Sequence, residues 1–346
     1  MLVKDAKAAA RHWVIEEAGN VPGFVSAYFA GSSGWLPDDA VLPPTSDLDV
    51  NVVYDRQNTT TGRGKFLHRD VLLEVTSLPF DQVQSPDRVL GDYHLAGGFR
   101  TSNIILDPSE QLSKIQAAVA RDYARRYWVR RRCEHAASRV REQLAALKES
   151  DLFHDQVLGW IFPTGVMTHV LLVAGLQNPT VRRRYVAVRE LLEEYGHLPF
   201  HETLLELVGC AHMNRSRTEQ HLNALAEVFD ATTAVAKTPF SFSSDLSEIA
   251  RPIAIDGTRE LIEHGLHREA VFWIVVTYSR CQKALSVDAP AALQQAFAPG
   301  YRQLLGDLGI TSFADLQQRA EQVNLHLVQV WEVAEGIMAV NPGIAE

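Results

Sequence analysis

The sequence predicts an α+β protein, with a mixed sheet and flanking helices in its N-terminal part and an all-α domain after it. Three observations carry this. Up to about Pro108, Gly, Pro, Ser and Asp interrupt the chain often, and the apolar runs between them are short and rich in Val, Phe and Tyr, as strands are. Beyond Pro108 the apolar residues recur at intervals of three and four over windows too long for strands. A chain of 346 residues, 46% apolar and 22% charged, has the size and composition of about two globular domains. They are placed at residues 1–110 and 111–346.

The elements follow in order. A helix is predicted from about Lys4 to Glu17, then a strand over Phe24 to Ala30 that ends at Gly31. A second strand runs from Leu48 to Tyr54 and a third around Val71 to Thr76. Between them Asn58 to Gly64 reads as a loop joining two antiparallel strands. Gly62-Arg63-Gly64-Lys65 reads as its tip, because its spacing does not match the phosphate loop of a Walker motif. Ser85 and Pro86 open a short helix, and Gly97 and Gly98 close it. A last strand covers Asn103 to Leu106 and stops at Asp107 and Pro108. In the helical part, Asn178 and Pro179 start a helix that ends at Tyr195 and Gly196. Ser312 and Asp315 form a capping box for a final helix from Phe313 to about Ala334.

Composition narrows the functional classes. A formal net charge of −9 argues against nucleic acid as the principal partner, because phosphate neutralisation normally leaves a basic excess. The arginine run Arg121, Arg125, Arg126, Arg130, Arg131 and Arg132 reads mainly as a solvated helix face, with a phosphate contact open to some of its members. The N-terminus shows no signal peptide pattern. No segment reads as the roughly 20 uninterrupted apolar residues of a membrane span, so no membrane partner is expected. Cys133, Cys210 and Cys281 lie far apart, without metal-site or disulfide spacing. They read as reduced thiols of a cytoplasmic protein.

The chemistry concentrates in Ala30-Gly31-Ser32-Ser33 and in Ser46-Asp47-Leu48-Asp49-Val50. Side chains alternate along a strand, so Asp47 and Asp49 share one face while Leu48, Val50 and Val52 share the other. Two carboxylates side by side repel, and magnesium relieves that repulsion while leaving coordination positions for substrate phosphates. Glu74 stands isolated in the apolar run Val71-Leu72-Leu73-Glu74-Val75, where an acid is costly unless paired or metal-bound. Beside the second strand it completes a site for two Mg2+ ions about 4 Å apart, suited to in-line phosphoryl displacement. Gly31 permits close approach of the backbone to a ligand. A helix starting there would offer its free N–H groups to a triphosphate, with the hydroxyls of Ser32 and Ser33 as further donors. Arg100 is a further candidate phosphate contact. Plainer readings stay open: loop acids at Asp47 and Asp49, an edge-strand surface acid at Glu74, and an ordinary turn at Gly31-Ser32.

A strand ending in Gly-Ser, a loop, a Ser-introduced Asp-x-Asp strand and a later strand with one more acid together resemble the DNA polymerase β-like nucleotidyltransferase superfamily. With a helical C-terminal domain, the arrangement is most similar to the bacterial branch that includes aminoglycoside nucleotidyltransferases. The resemblance covers about Ala27 to Asp107. The loop from Ser32 to Asp47 is longer than is usual for the motif. The resemblance implies magnesium-dependent transfer of a nucleoside monophosphate from a nucleoside triphosphate to an acceptor hydroxyl. Asp47, Asp49 and Glu74 would be catalytic and metal-binding, and Gly31, Ser32, Ser33 and Arg100 nucleotide-binding. The helical domain would receive the acceptor, a small hydroxylated molecule such as an aminoglycoside, drawn by acids such as Glu190, Glu193 and Glu194. A protein hydroxyl is the alternative acceptor. Glu74, Glu269 or a metal-bound water are the options for the general base. A nucleotide-binding sensor or scaffold without turnover is the competing functional class.

Overall fold

The computed structural model describes residues 1–55 and 64–346. It is α+β, with a mixed sheet near the N-terminus and helices after it. The chain forms two compact units. One comprises Met1–His135 with Leu176–Thr180 and Asn341–Glu346, and the other Ala136–Gly175 with Val181–Val340.

In the first unit α1 (Val3–Glu16) precedes β1 (Phe24–Phe29), β2 (Leu48–Tyr54), β3 (Gly64–His68) and β4 (Val71–Pro79). Then come α2 (Pro86–Gly91), β5 (Ile104–Leu106) and α3 (Gln111–Asp122). Among the described residues the sheet has the order β3-β4-β2-β1-β5. β4 runs parallel to β2, and the other neighbouring pairs are antiparallel. The apolar residues of α1, Val3, Ala6, Ala10, Trp13 and Val14, fall on one helical face. They join Leu48, Val50, Val52, Leu73 and Val75 in a single buried cluster. The other face of the sheet contributes Tyr28 and Val53 to a second cluster with Val89, Leu90, Leu112, Ile115 and Val119 of α2 and α3. Layers on both faces fix the strand register, because a one-residue slip would reverse every side chain.

Three details of the first unit depart from the sequence reading. The loop read at Asn58 to Gly64 lies outside the described residues, except for Gly64, which opens the unforeseen strand β3. β2 and the strand bearing Glu74 are parallel neighbours, not the two arms of a hairpin. The hairpin joins β3 to β4, and its turn is Arg69-Asp70, both left-handed with φ of 50° and 61°. Such a turn usually advertises itself with Asn or Gly, and this one does not. Finally, α2 stops at Gly91, because the Asp92 carboxylate accepts from the N–H groups of His94 and Leu95 and turns the chain. Gly97 and Gly98 belong instead to a 3-10 turn, Ala96–Phe99.

The remaining helices are α4 (Arg126–Ala145), α5 (Phe153–Ala174), α6 (Arg184–Glu194), α7 (Phe200–Val208), α8 (Arg215–Val235), α9 (Gly257–Glu263), α10 (His267–Asp288), α11 (Ala291–Asp307) and α12 (Phe313–Val340). α5 corrects the expectation of no membrane-length segment: it is long and apolar enough to cross a bilayer. Of its most apolar window 83% is buried inside the protein, as in a core helix. α6 begins at Arg184, later than Asn178-Pro179, since Thr180 N–H closes a tight turn on the Asn178 carbonyl. The capping box of α12 forms: Ser312 Oγ accepts from Asp315 N–H, and the Asp315 carboxylate accepts from the N–H groups of Thr311 and Ser312. Buried Ile337 and Met338 carry α12 beyond Ala334. All three cysteines are buried, and none is part of a disulfide.

Candidate metal centre

The site grows out of the alternation in β2. Leu48, Val50 and Val52 face the cluster under α1, so Asp47 and Asp49 are turned to the opposite side of the sheet. β4 lies beside β2 with Glu74 directly paired to Asp49. The three carboxylates offer oxygens that all lie within 4.8 Å of one another, close enough to hold a metal ion. β4 is flanked by β3 and β2, so Glu74 is not on an edge strand. Two requirements of the sequence reading, a shared face and proximity, are therefore met by the structure.

β3 adds a residue that the sequence reading placed at a hairpin tip. Phe66 pairs with Leu73 and its ring lies 5.2 Å from that of Trp13, on the α1 side. Lys65 is thereby sent to the acidic face, opposite Glu74. Its ammonium lies 2.7 Å from Glu74 Oε1 and 3.0 Å from Asp47 Oδ2. The Lys65 side chain is 6% exposed, so this is a largely desolvated ion-pair network. Burial, followed by the charges of Asp47 and Glu74, pushes the Asp49 carboxyl well above the usual carboxylate range, and Lys65 offsets part of that push.

Gly31 closes the site from the β1 side. Its φ is +51°, and a Cβ placed there would lie 2.0 Å from Asp49 Oδ2. Only glycine satisfies both conditions. The expected helix after it is a single 3-10 turn, Gly31–Gly34, too short to accumulate a substantial macrodipole. Ser33 is buried in this turn: its hydroxyl donates to the Ala30 carbonyl at 2.7 Å and accepts from Asp49 N–H at 3.0 Å. It ties the turn to β2. Asn103, another residue that sequence reasoning missed, reaches the carbonyls of Gly34 and Gly98 from the other side. Ser32 is half-buried in the same turn.

Arg100 is engaged within the first unit. Its guanidinium stacks 4.6 Å from the centre of the Trp35 ring and donates to the Leu176 carbonyl at 3.3 Å. The arginine run divides as a helix surface should. Arg121 and Arg125 pair with Asp122, Arg130 and Arg131 with Glu134, and Arg126 with Glu346. Arg132 is buried, with hydrogen bonds to the Tyr123 and Leu90 carbonyls. In the second unit Glu190, Glu193 and Glu194 are exposed on α6. Glu269 is buried on α10, 4.0 Å from His201 and 3.9 Å from Arg189.

Compared with known proteins, the chain matches no family model, no curated protein and no solved structure. Three hard oxygen donors converge on one point, and a buried ammonium already lies among them as a positive charge. Oxygen donors grouped in this way could hold a metal ion.

Proposed function

We propose that the chain is a magnesium-dependent nucleotidyltransferase of the polymerase β-like kind, moving a nucleoside monophosphate from a nucleoside triphosphate to an acceptor hydroxyl. The observation that carries this reading is the meeting of Asp47, Asp49 and Glu74 on one sheet face, beside a glycine turn held against Asp49. In this reading Asp47, Asp49 and Glu74 would together hold two Mg2+ ions. Bound there, magnesium neutralises charge on the triphosphate and on the attacking and leaving oxygens. The chain's own work is orientation. Gly31 lets the backbone approach the phosphates, Ser33 fixes the turn to β2, and the apolar back of β2 holds the carboxylates on a rigid strand. The reading assigns the acceptor to a small hydroxylated cation such as an aminoglycoside, in keeping with the net charge of −9 and the exposed acids of α6.

Pyrophosphate release, measured with each of the four ribonucleoside triphosphates, Mg2+ and a panel of hydroxylated acceptors, tests the reading. Wild type should release pyrophosphate with at least one pair, and Asp49→Ala should lose at least about a thousandfold. Micromolar nucleotide binding without pyrophosphate from any acceptor would favour a sensor or scaffold instead. Equal release by wild type and Asp49→Ala would remove the site from the reaction.

A further inference from the structure

Lys65 occupies the very oxygens that a metal would need. Its ammonium contacts Asp47 Oδ2 and Glu74 Oε1 at 3.0 and 2.7 Å, and these two residues with Asp49 make up the triad. The register places Lys65, Glu74 and Asp49 in one row across β3, β4 and β2, so the contact is built by the sheet and is not a chance meeting of surface chains. Mg2+ requires its oxygens at about 2.0–2.1 Å in near-octahedral array. A unit positive charge held beside those oxygens opposes the arriving ion. Lysine has a flexible four-carbon stem. β3 is the outer strand of the sheet among the described residues, and the stem can change rotamer without breaking a strand pairing.

We propose that Lys65 is a built-in counter-cation of the triad, holding it together without metal and displaced when a divalent ion loads. The proposal rests on the metal-binding reading above. In the metal-free protein the ammonium cancels part of the repulsion among Asp47, Asp49 and Glu74. In the loaded protein it is released toward solvent or toward the phosphates of a bound triphosphate. Lys65 thus sets the metal concentration at which the site fills.

The probe is Mn2+, with free ion followed by electron paramagnetic resonance on the full chain. Lys65→Met should bind Mn2+ roughly tenfold to a hundredfold more tightly than wild type. Equal or weaker binding overturns the proposal. Because Lys65→Met leaves three acids without their counter-charge, which opposes folding in the absence of metal, a second measurement uses wild type alone. Acylation of lysines by an amine-directed reagent, read by mass spectrometry, should rise several-fold at Lys65 when Mn2+ saturates the site, with surface lysines as the internal reference. Unchanged labelling of Lys65 while Mn2+ is demonstrably bound refutes the displacement and leaves the metal site standing. Failure of Mn2+ to bind either wild type or Lys65→Met instead defeats the metal reading itself, and this proposal with it.

Discussion

Replacing Gly31 with alanine tests the site through a single methyl group. The backbone at Gly31 is left-handed, with φ of +51°, a conformation that costs an L-residue roughly 1–2 kcal/mol. The added Cβ would lie 2.0 Å from Asp49 Oδ2 and 2.6 Å from its Cγ, whereas non-bonded contacts settle near about 3.5 Å. The Asp49 carboxylate must therefore retreat by about 1 Å or more, because the turn is tied to β2 through Ser33. Productive sites tolerate displacements of only about 0.5 Å. Gly31→Ala should lose about 1–3 kcal/mol in urea denaturation and bind Mn2+ at least about tenfold more weakly in an isothermal titration. A protein that loses stability while keeping its metal affinity would show that Asp49 is not a ligand. Unchanged stability and affinity together would refute the description of the turn.

Other outcomes follow from the same structure. Asp49→Asn removes one of three crowded acids, so in metal-free buffer it should be at least as stable as wild type in thermal unfolding. Added Mg2+ should raise the melting temperature of wild type alone, and a matching rise in the variant would contradict the site. His154, His201 and His221 are all pushed below the ordinary histidine pKa, in each case chiefly by burial. A folded pKa below the unfolded one means that the unfolded chain takes up protons first. The associated stability is thus complete above about pH 6.5 and is lost as pH falls through that value. Urea midpoints at about pH 7.5 and about pH 5.5 should show the loss, and a flat profile would contradict it. Arg132→Ala leaves the Leu90 and Tyr123 carbonyls without their donor and should cost about 2–4 kcal/mol. Arg132→Lys should recover little of this, since one ammonium cannot reproduce the guanidinium fork.

The part of the site that was legible in the sequence lies within single strands. Asp47 and Asp49 declare their common face because Leu48, Val50 and Val52 alternate with them, and Glu74 stands out against an apolar run. Gly31 follows a strand end, where a left-handed glycine is an ordinary expectation. What stayed hidden depends on pairing between strands. Lys65 belongs to the site only through its register with Glu74, and that register is set by the Arg69-Asp70 turn, whose residues carry no strong turn signal. Asn103 joins the turn at Gly34 across 69 residues, a distance over which local pattern carries no information. Helix α5 likewise escaped the sequence reading, which found no stretch of membrane length. A core helix surrounded by other helices is apolar on all sides, and only its burial distinguishes it from a membrane span.

A crystal of the full chain soaked with Mn2+ and a non-hydrolysable nucleoside triphosphate analogue, measured at the manganese absorption edge, tests the proposed metal site most directly. The expected result is an anomalous peak within coordinating distance of Asp47 and Asp49, triphosphate density along Gly31–Gly34, and Lys65 withdrawn from Glu74. Nucleotide density elsewhere, with no anomalous peak at the three carboxylates and Lys65 still bridging Asp47 and Glu74, would contradict it.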